Sequence, residues 1–260
     1  MRTLVVLPTY EEALNIDEAL RRVRAAAPTV DILVMDDNSP DGTAAIARAT
    51  GAEIGQIDVI VRDRKDGLGN AYRHGFRVGL ERGYEVLMQM DADLSHDAND
   101  IPRLLSQVDR GADLAIGSRY IPGGSVPHWA WYRRALSRYG NRYACFALGM
   151  TIHDATAGFR AYQADALKAI DVFSTRAKGY GFQIETAYRV SRQQSAIDEV
   201  PIIFTDRIRG ASKMSASVMV EEMLLVTWWG VRDRLVPRVS RASWPFGGRA
   251  GGSSGRAGRG

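Results

Sequence analysis

Val86-Leu-Met-Gln-Met90 runs straight into Asp91-Ala-Asp93-Leu-Ser-His96, and the fold can be read outward from that junction. The first half is almost wholly apolar, as in a strand that needs cover on both faces. The second half turns through two acids. The same form recurs along the first 120 residues: Thr3–Leu7, Asp31–Met35, Ile57–Val61 and Leu114–Ile116 are short runs rich in Val, Ile, Leu and Met. Between them lie helical spacings, carried by Leu14, Ala19, Leu20 and Val23, by Ala71, Gly75, Phe76 and Gly79, and by Ile101, Leu104, Leu105 and Val108. Strand–helix alternation at this pitch makes βαβ units. The expectation is an α/β fold with a mostly parallel central sheet and helices on both faces.

After Tyr120 the pattern loosens. A helix is expected over Trp129–Leu148, strands over Arg160–Tyr162 and Glu199–Phe204, and a helix around Gln183–Arg192. An amphipathic segment, Val218–Leu235, carries Glu221 and Glu222 early and Arg232 and Arg234 late, matching the helix dipole, and Pro237 stops it. These elements form one expected domain over residues 1–237. Residues 238–260 hold five arginines, no acid and a glycine-rich composition without apolar periodicity. That segment reads as a disordered tail, either a solvated one or a basic tether for anionic headgroups.

Composition excludes several classes. The net charge is +4 with 34 basic and 30 acidic residues. Without the five tail arginines, 29 basic residues face 30 acids, so the body is near neutral and the nucleic-acid reading loses its support. No run reaches the roughly 18–20 apolar residues of a bilayer span, and the start does not read as a signal peptide. One cysteine, Cys145, rules out a disulfide framework and fits a reducing cytosol.

In a parallel sheet, ligands bind beyond the carboxyl ends of the strands. Those ends here read Pro8-Thr-Tyr-Glu-Glu12, Asp36-Asp-Asn-Ser-Pro-Asp-Gly42, Asp91-Ala-Asp93 and Gly117-Ser-Arg-Tyr120. Asp91 and Asp93 can reach one cation, and carboxylates suit Mg²⁺ or Mn²⁺, which keep positions for water and substrate phosphates. A D-x-D alone is often only a solvated turn; its place after an apolar strand, opposite Asp36 and Asp37, strengthens the metal reading. His74, His96, His128 and His153 show no ligand spacing. Gly67-Leu-Gly69 has Tyr72 where a dinucleotide loop needs its third glycine, so the NAD fingerprint is absent.

Two cationic groups stand out. Arg133 and Ser137, four apart on the expected helix, share a face suited to one phosphate. Arg134, Arg138 and Arg142 form the adjacent stripe; a solvated face is the ordinary fate of such charge, but Trp129, Trp131 and Tyr132 beside it resemble an interface. Arg207-Ile-Arg-Gly-Ala-Ser-Lys213 reads either as a solvated loop or as a lid over a diphosphate.

Together these residues resemble the inverting GT-A glycosyltransferases of family 2, nearest to the dolichol-phosphate and polyprenol-phosphate mannosyltransferases. The likeness spans Leu4 to about Leu225 and rests on Leu7-Pro-Thr-Tyr-x-Glu12, Asp36-Asp-x-Ser-Pro-Asp-Gly42, Gly67-Leu-Gly-x-Ala-Tyr72, Asp91-Ala-Asp-Leu-Ser-His96, Gly117-Ser-Arg-Tyr120, Phe159-Arg-x-Tyr162, Lys178-Gly-Tyr180, Glu199-Val-Pro201 and Arg207-x-x-Gly-x-Ser-Lys213. The resemblance implies a GT-A nucleotide-diphospho-sugar transferase fold. It also implies inverting transfer of mannose from GDP-mannose to a polyprenyl or dolichyl monophosphate. Pro8, Tyr10 and Glu12 would flank the guanosine end, with Met35 and Asp37 at base or ribose and Ala92 behind the nucleotide. Asp91 and Asp93 would hold the divalent metal, Mg²⁺ or Mn²⁺. Ser95 stands where some relatives place a Gln ligand, with water completing the shell. Asp93, Arg207 and Lys213 would be catalytic, the last two reaching the diphosphate; Arg119, Arg133 and Ser137 match the acceptor-phosphate positions.

An acceptor of that kind implies peripheral attachment at the cytoplasmic face of a membrane, directly or through a membrane-protein partner, with no transmembrane segment. Trp129, Trp131, Trp228 and Trp229, with Leu224, Leu225 and Leu235, are the candidate membrane-facing groups. The same fold using UDP-glucose, and a catalytically silent nucleotide-binding scaffold, are the competing readings.

Overall fold

A strand as apolar as Val86–Gln89 is stable only between two layers, and the chain supplies both. The computed structural model describes residues 1–177, 179–206 and 216–235; for residues 180, 216–222 and 233–235 it describes the backbone alone. The strands are β1 (Thr3–Thr9), β2 (Asp31–Asp36), β3 (Ile57–Val61), β4 (Val86–Gln89), β5 (Leu114–Ser118), β6 (Arg160–Gln163) and β7 (Ile197–Pro201). They form a sheet ordered β3-β2-β1-β4-β6-β5-β7. Pairing is parallel throughout the β3-β2-β1-β4 half and between β5 and β7, while β6 runs antiparallel to both neighbours. The mostly parallel sheet expected from the sequence is therefore present.

Alternation along β1 divides the core. Leu4 and Val6 face one layer with Leu33, Met35 and Leu87; Val5 and Leu7 face the other with Ile32, Val34 and Met88. Burying each such side chain contributes roughly 1.5–3 kcal/mol. Helices α1 (Ile16–Ala26), α2 (Thr43–Ile54) and α4 (Ile101–Asp109) cover the second face; α3 (Leu68–Glu81), α5 (Trp131–Leu148), α6 (Ala164–Ala169), α7 (Tyr180–Arg192) and α8 (Ala216–Leu235) lie on the first.

The glycines of α3 mark its contact face. A Cβ on Gly75 would lie 2.5 Å from Val6 Cγ1, and one on Gly79 would collide with Leu87. Gly75→Ala should therefore destabilise the protein by about 1–3 kcal/mol, as overpacking does, measurable by urea unfolding. A variant as stable as the parent would show that β1 gives way freely.

Three elements depart from the sequence expectation. α2 carries no helical signal in the sequence, because TAAIARATGAEI fully buries only the small Thr43, Ala47 and Thr50, which leave no large-apolar periodicity. α6 has only six residues, too few for a period. β7 begins at Ile197 and ends at Pro201, earlier than the expected Glu199–Phe204. Beyond Pro201 the chain stays extended but changes partner: Ile202 N–H donates to Ser118 O (3.0 Å) and Phe204 N–H to Ser125 O (2.9 Å).

α8 packs on α5 through Val226 and Trp229, and Gly230 sits so close that a Cβ would be 2.5 Å from the Ala147 carbonyl oxygen. Among the described residues no helix is long and apolar enough to cross a membrane. The tail read over 238–260 lies outside the described residues.

Candidate active site

The turns leaving β1, β2 and β4 each hold a non-glycine residue at positive φ: Glu11 (58°), Asn38 (58°) and Leu94 (64°). Such backbone costs roughly 1–3 kcal/mol and gathers where sites demand it. At the end of β2 two neighbouring acids divide their tasks. Asp36 accepts from Thr9 Oγ1 (2.9 Å), Ser39 N–H (2.9 Å) and Ser39 Oγ (2.6 Å), holding the two turns together. Asp37 pairs with Arg62 at 2.6 Å. Burial pushes its pKa up, against the pull of Arg62. Lys65 places its ammonium 3.8 Å from the Tyr10 ring centroid. Glu12 receives Asn15 Nδ2 (2.8 Å) and its N–H donates to Thr43 Oγ1 (3.0 Å).

Beyond β4, Asp93 Oδ1 accepts the Ser95 N–H (3.1 Å) and hydroxyl (2.5 Å), an Asx-type turn that Leu94 completes. Ser95 thus spends its hydroxyl proton on Asp93. Asp91 Oδ1 accepts from Tyr72 Oη at 3.3 Å. Burial, then the Asp91 charge, raises the Tyr72 pKa well above its ordinary value, so the phenol stays a donor. His96 Nδ1 accepts the Asp91 N–H (3.2 Å), which leaves the ring proton on Nε2. Burial lowers the His96 pKa, and the neutral ring stacks on Phe159 with centroids 5.0 Å apart. At Gly158 a Cβ would stand 3.6 Å from Asp91 Oδ2 and 3.7 Å from His96 Cε1. Two carboxylates on a fixed turn are hard oxygen donors of the kind Mg²⁺ and Mn²⁺ accept alongside substrate phosphates and water. Among the described residues no group of three or more His, Cys, Asp or Glu side chains is placed to hold a metal ion by itself.

The cations predicted for the acceptor gather around Trp129. Arg119 Cζ is 6.0 Å and Arg133 Cζ 4.1 Å from its ring, and Arg133 Nη1 also donates to Asp206 Oδ1 at 2.9 Å. Ser137 Oγ bonds the Tyr120 hydroxyl at 2.6 Å. Arg119 is held far more firmly. Its Nε and Nη2 donate to Asp154 Oδ2 and Oδ1, both at 2.7 Å, and Nη2 also reaches Thr156 Oγ1 at 2.6 Å. Asp154 is fully buried; burial alone would raise its pKa, but the Arg119 charge and hydrogen bonds outweigh it and hold it low. Phe204 links the two regions: it lies edge-on to Trp129 (5.9 Å) and to His96 (5.3 Å), which in turn contacts Asp91.

Other expected residues fall in less exposed places. Pro8, next to last in β1, is half-buried, Ala92 is buried in the α1/α4 layer, and the Met35 side chain is fully buried in the core beside Gly75. Trp129 belongs to the cation cluster and Trp229 to the α5–α8 contact, whereas Trp131, Trp228 and Leu224 are exposed. Arg207, Lys213 and Lys178 lie outside the described residues, as does the Leu235 side chain. Asp154, Tyr72 as partner of Asp91, and Asp206 as partner of Arg133 were not foreseen, since each contact joins segments far apart in sequence or carries no motif of its own.

Acid-bearing turns at the strand ends, on a mostly parallel seven-stranded sheet, define a GT-A-like α/β protein. Residues 4–171 match the model of glycosyl transferase family 2, and the chain belongs to that family. It is 51% identical over 235 residues to the polyprenol monophosphomannose synthase of Mycolicibacterium smegmatis, covering 90% of this chain and 89% of that one. It is 48% identical over 234 residues to the undecaprenyl-phosphate mannosyltransferase of Micrococcus luteus (90% and 96% covered). To the dolichol-phosphate mannosyltransferase of Pyrococcus furiosus it is 33% identical over 244 residues (91% and 67% covered). Among solved structures, mannosyl-3-phosphoglycerate synthase from Rubrobacter xylanophilus superposes with a TM-score of 0.64 at 19% identity, covering 95% and 78%. A mannosyltransferase from Pyrobaculum calidifontis in complex with GDP-Man and Mn²⁺ gives 0.61 at 16% identity, covering 89% and 64%.

Proposed function

We propose that this chain transfers mannose from GDP-mannose to a polyprenyl monophosphate, with inversion, yielding polyprenyl-phosphate β-mannose and GDP. The observation that carries this reading is the 51% identity over 235 residues to a polyprenol monophosphomannose synthase. The site agrees with it chemically. A donor diphosphate needs the carboxylate turn of Asp91 and Asp93, and an acceptor phosphate needs cations a short way off.

The donor lies along Pro8, Tyr10, Glu12 and Asp37, with Met35 and Ala92 shaping the floor from below. A divalent cation, Mg²⁺ or Mn²⁺, held by Asp91 and Asp93, would stabilise the charge that builds on the leaving diphosphate. Tyr72 and His96 fix Asp91, and Ser95 fixes Asp93, so these carboxylates need little reorganisation as the bond breaks. Arg207 and Lys213 are assigned to the diphosphate by their motif. The lipid phosphate is already anionic at neutral pH, so this chain abstracts no proton from it; its task is alignment and screening. Arg119, locked by Asp154, is a fixed positive charge. Arg133 is the movable one, because its pair with Asp206 is partly exposed (36% and 41%) and such pairs are worth about 0–1 kcal/mol.

Arg133→Ala should raise KM for the polyprenyl phosphate about tenfold or more, as loss of a charge-assisted hydrogen bond does, with KM for GDP-mannose nearly unchanged. The reverse pattern would move Arg133 to the donor side. The donor itself is tested by comparing turnover with GDP-mannose and UDP-glucose; faster turnover with UDP-glucose would overturn the assignment. A polyprenyl tail stays in the bilayer, so we assign this chain to the cytoplasmic face of a membrane, attached peripherally either directly or through a membrane-protein partner.

A further inference from the structure

We propose that Arg160 is a positioning residue for the transfer step: from the interior, its guanidinium sets the two aromatic rings that back the groups holding Asp91. This rests on the transfer reading in one respect, that Asp91 works on the donor.

Arg160 opens β6 and is the largest side chain fully buried among the described residues. A guanidinium cannot shed its proton, so its burial without a counter-charge is costly. Arg119, the other buried arginine among these residues, is answered by Asp154. The hydrogen bonds of Arg160 go instead to neutral oxygens. Nη1 donates to Gln183 O (2.7 Å), Tyr162 Oη (3.1 Å) and Thr186 Oγ1 (3.1 Å), and Nη2 donates to Ala155 O (2.7 Å). Around this fork the polar count does not close. Arg160 Nε has no partner, nor does Nε2 of Gln89, directly opposite on β4, nor either polar atom of the Gln183 side chain. A core selected for stability alone fills such a place with apolar side chains, because unpaired polar groups cost free energy there. Rules of packing are broken in this way mainly at functional sites.

The directions of the fork say what it serves. Nη2 reaches back to Ala155 and closes residues 155–160 on themselves. Phe159, in that segment, stacks on His96 with centroids 5.0 Å apart, and the His96 ring accepts the Asp91 N–H. Gly158 beside it borders the Asp91 carboxylate. Nη1 reaches the start of α7. There Phe182, next to Gln183, stacks on Tyr72 with centroids 6.0 Å apart and planes 7° apart, and Tyr72 Oη donates to Asp91 Oδ1. His96 and Tyr72 thus each lean on a ring, one beside Arg160 in sequence and one beside its acceptor Gln183. A planar guanidinium with divergent bonds keeps the two rings at a set separation, which an apolar chain or a flexible ammonium does not. Asp91 is thereby preorganised from both sides.

The test is Arg160→Met, read first by amide hydrogen exchange without donor, metal or lipid. Exchange should rise about tenfold in residues 90–96 and 155–160, while β1 and β2 keep the parent's protection. In the transfer assay kcat should fall about a hundredfold, the effect of a misplacement of about 1 Å, with KM for GDP-mannose within about threefold. A role in stability alone would lower the urea midpoint and leave both the exchange of residues 90–96 and the kcat of the folded protein at parental values. That result would overturn the proposal. If Arg160→Met does not fold, Thr186→Val replaces one acceptor by a methyl and should give the same local exchange pattern at smaller amplitude. Parental exchange of residues 90–96 in Thr186→Val would then overturn it. A parent that transfers no mannose would sink the transfer reading and leave the exchange result standing.

Discussion

Asp91→Asn should lower mannosyl transfer about a thousandfold, the scale on which preorganised charge stabilisation acts, while leaving the melting temperature close to the parent's. The substitution keeps the shape of the side chain, an acceptor for Tyr72 Oη (3.3 Å) and the backbone N–H that His96 receives (3.2 Å). Only the charge is removed, and with it the capacity to hold a cation against a diphosphate. Asp93→Asn should lose as much activity and some stability besides, because the charged Oδ1 accepts two hydrogen bonds from Ser95. Asp36→Asn is the control: its carboxylate braces the β1 and β2 turns, so stability should fall more than turnover. Radiolabelled GDP-mannose transfer at saturating Mg²⁺ or Mn²⁺, beside thermal melts, separates the three. Transfer by Asp91→Asn within tenfold of the parent would remove the carboxylate pair from the mechanism.

The position of this pair was legible because both of its signals are local. An apolar strand announces its own burial, and whatever follows it arrives at the rim of a parallel sheet. The order of the strands was not legible. β6 inserts antiparallel between β4 and β5, and nothing in Arg160-Ala-Tyr-Gln163 states which way it points. Small residues misled for the same reason that they matter: Ala47 of α2 and the glycines of α3 bury little area, and the α3 glycines allow close approach to their neighbours. On the acceptor side, the spacing of Arg133 and Ser137 placed them on one helix face. Their partners Asp206 and Tyr120 come from other segments, which no helical period can name. The membrane-facing list shows the limit most plainly. Four tryptophans looked alike in sequence, but packing buried Trp229 against α5 and set Trp129 beside two guanidinium groups.

Asp154→Ala should destabilise the protein by about 3–5 kcal/mol at neutral pH, the cost of breaking a buried ion pair on one side. Arg119 and Asp154 are 6% and 0% exposed, meet through two bonds of 2.7 Å, and are joined by the Arg119 N–H at 3.0 Å. Removing the carboxylate leaves a guanidinium in the interior without its bidentate counter-charge, although Thr156 Oγ1 still accepts from Nη2. The pH dependence has a definite sign. The Asp154 pKa is lowered on folding, so its contribution is complete above the unfolded value of about 3.9 and disappears as pH falls through the lower folded value. The penalty of Asp154→Ala, measured by urea unfolding, should therefore hold constant from neutral pH to mildly acidic conditions and shrink only in strong acid. Replacing both partners, Arg119→Met with Asp154→Leu, should cost less than Asp154→Ala alone, since no charge is stranded. A double variant that is fully stable yet has a raised acceptor KM would show that this pair is kept for phosphate binding and not for the fold. Equal costs for the single and double variants would mean that the interior tolerates an unpaired Arg119, and the fixed positive charge assigned to the acceptor site would lose its anchor.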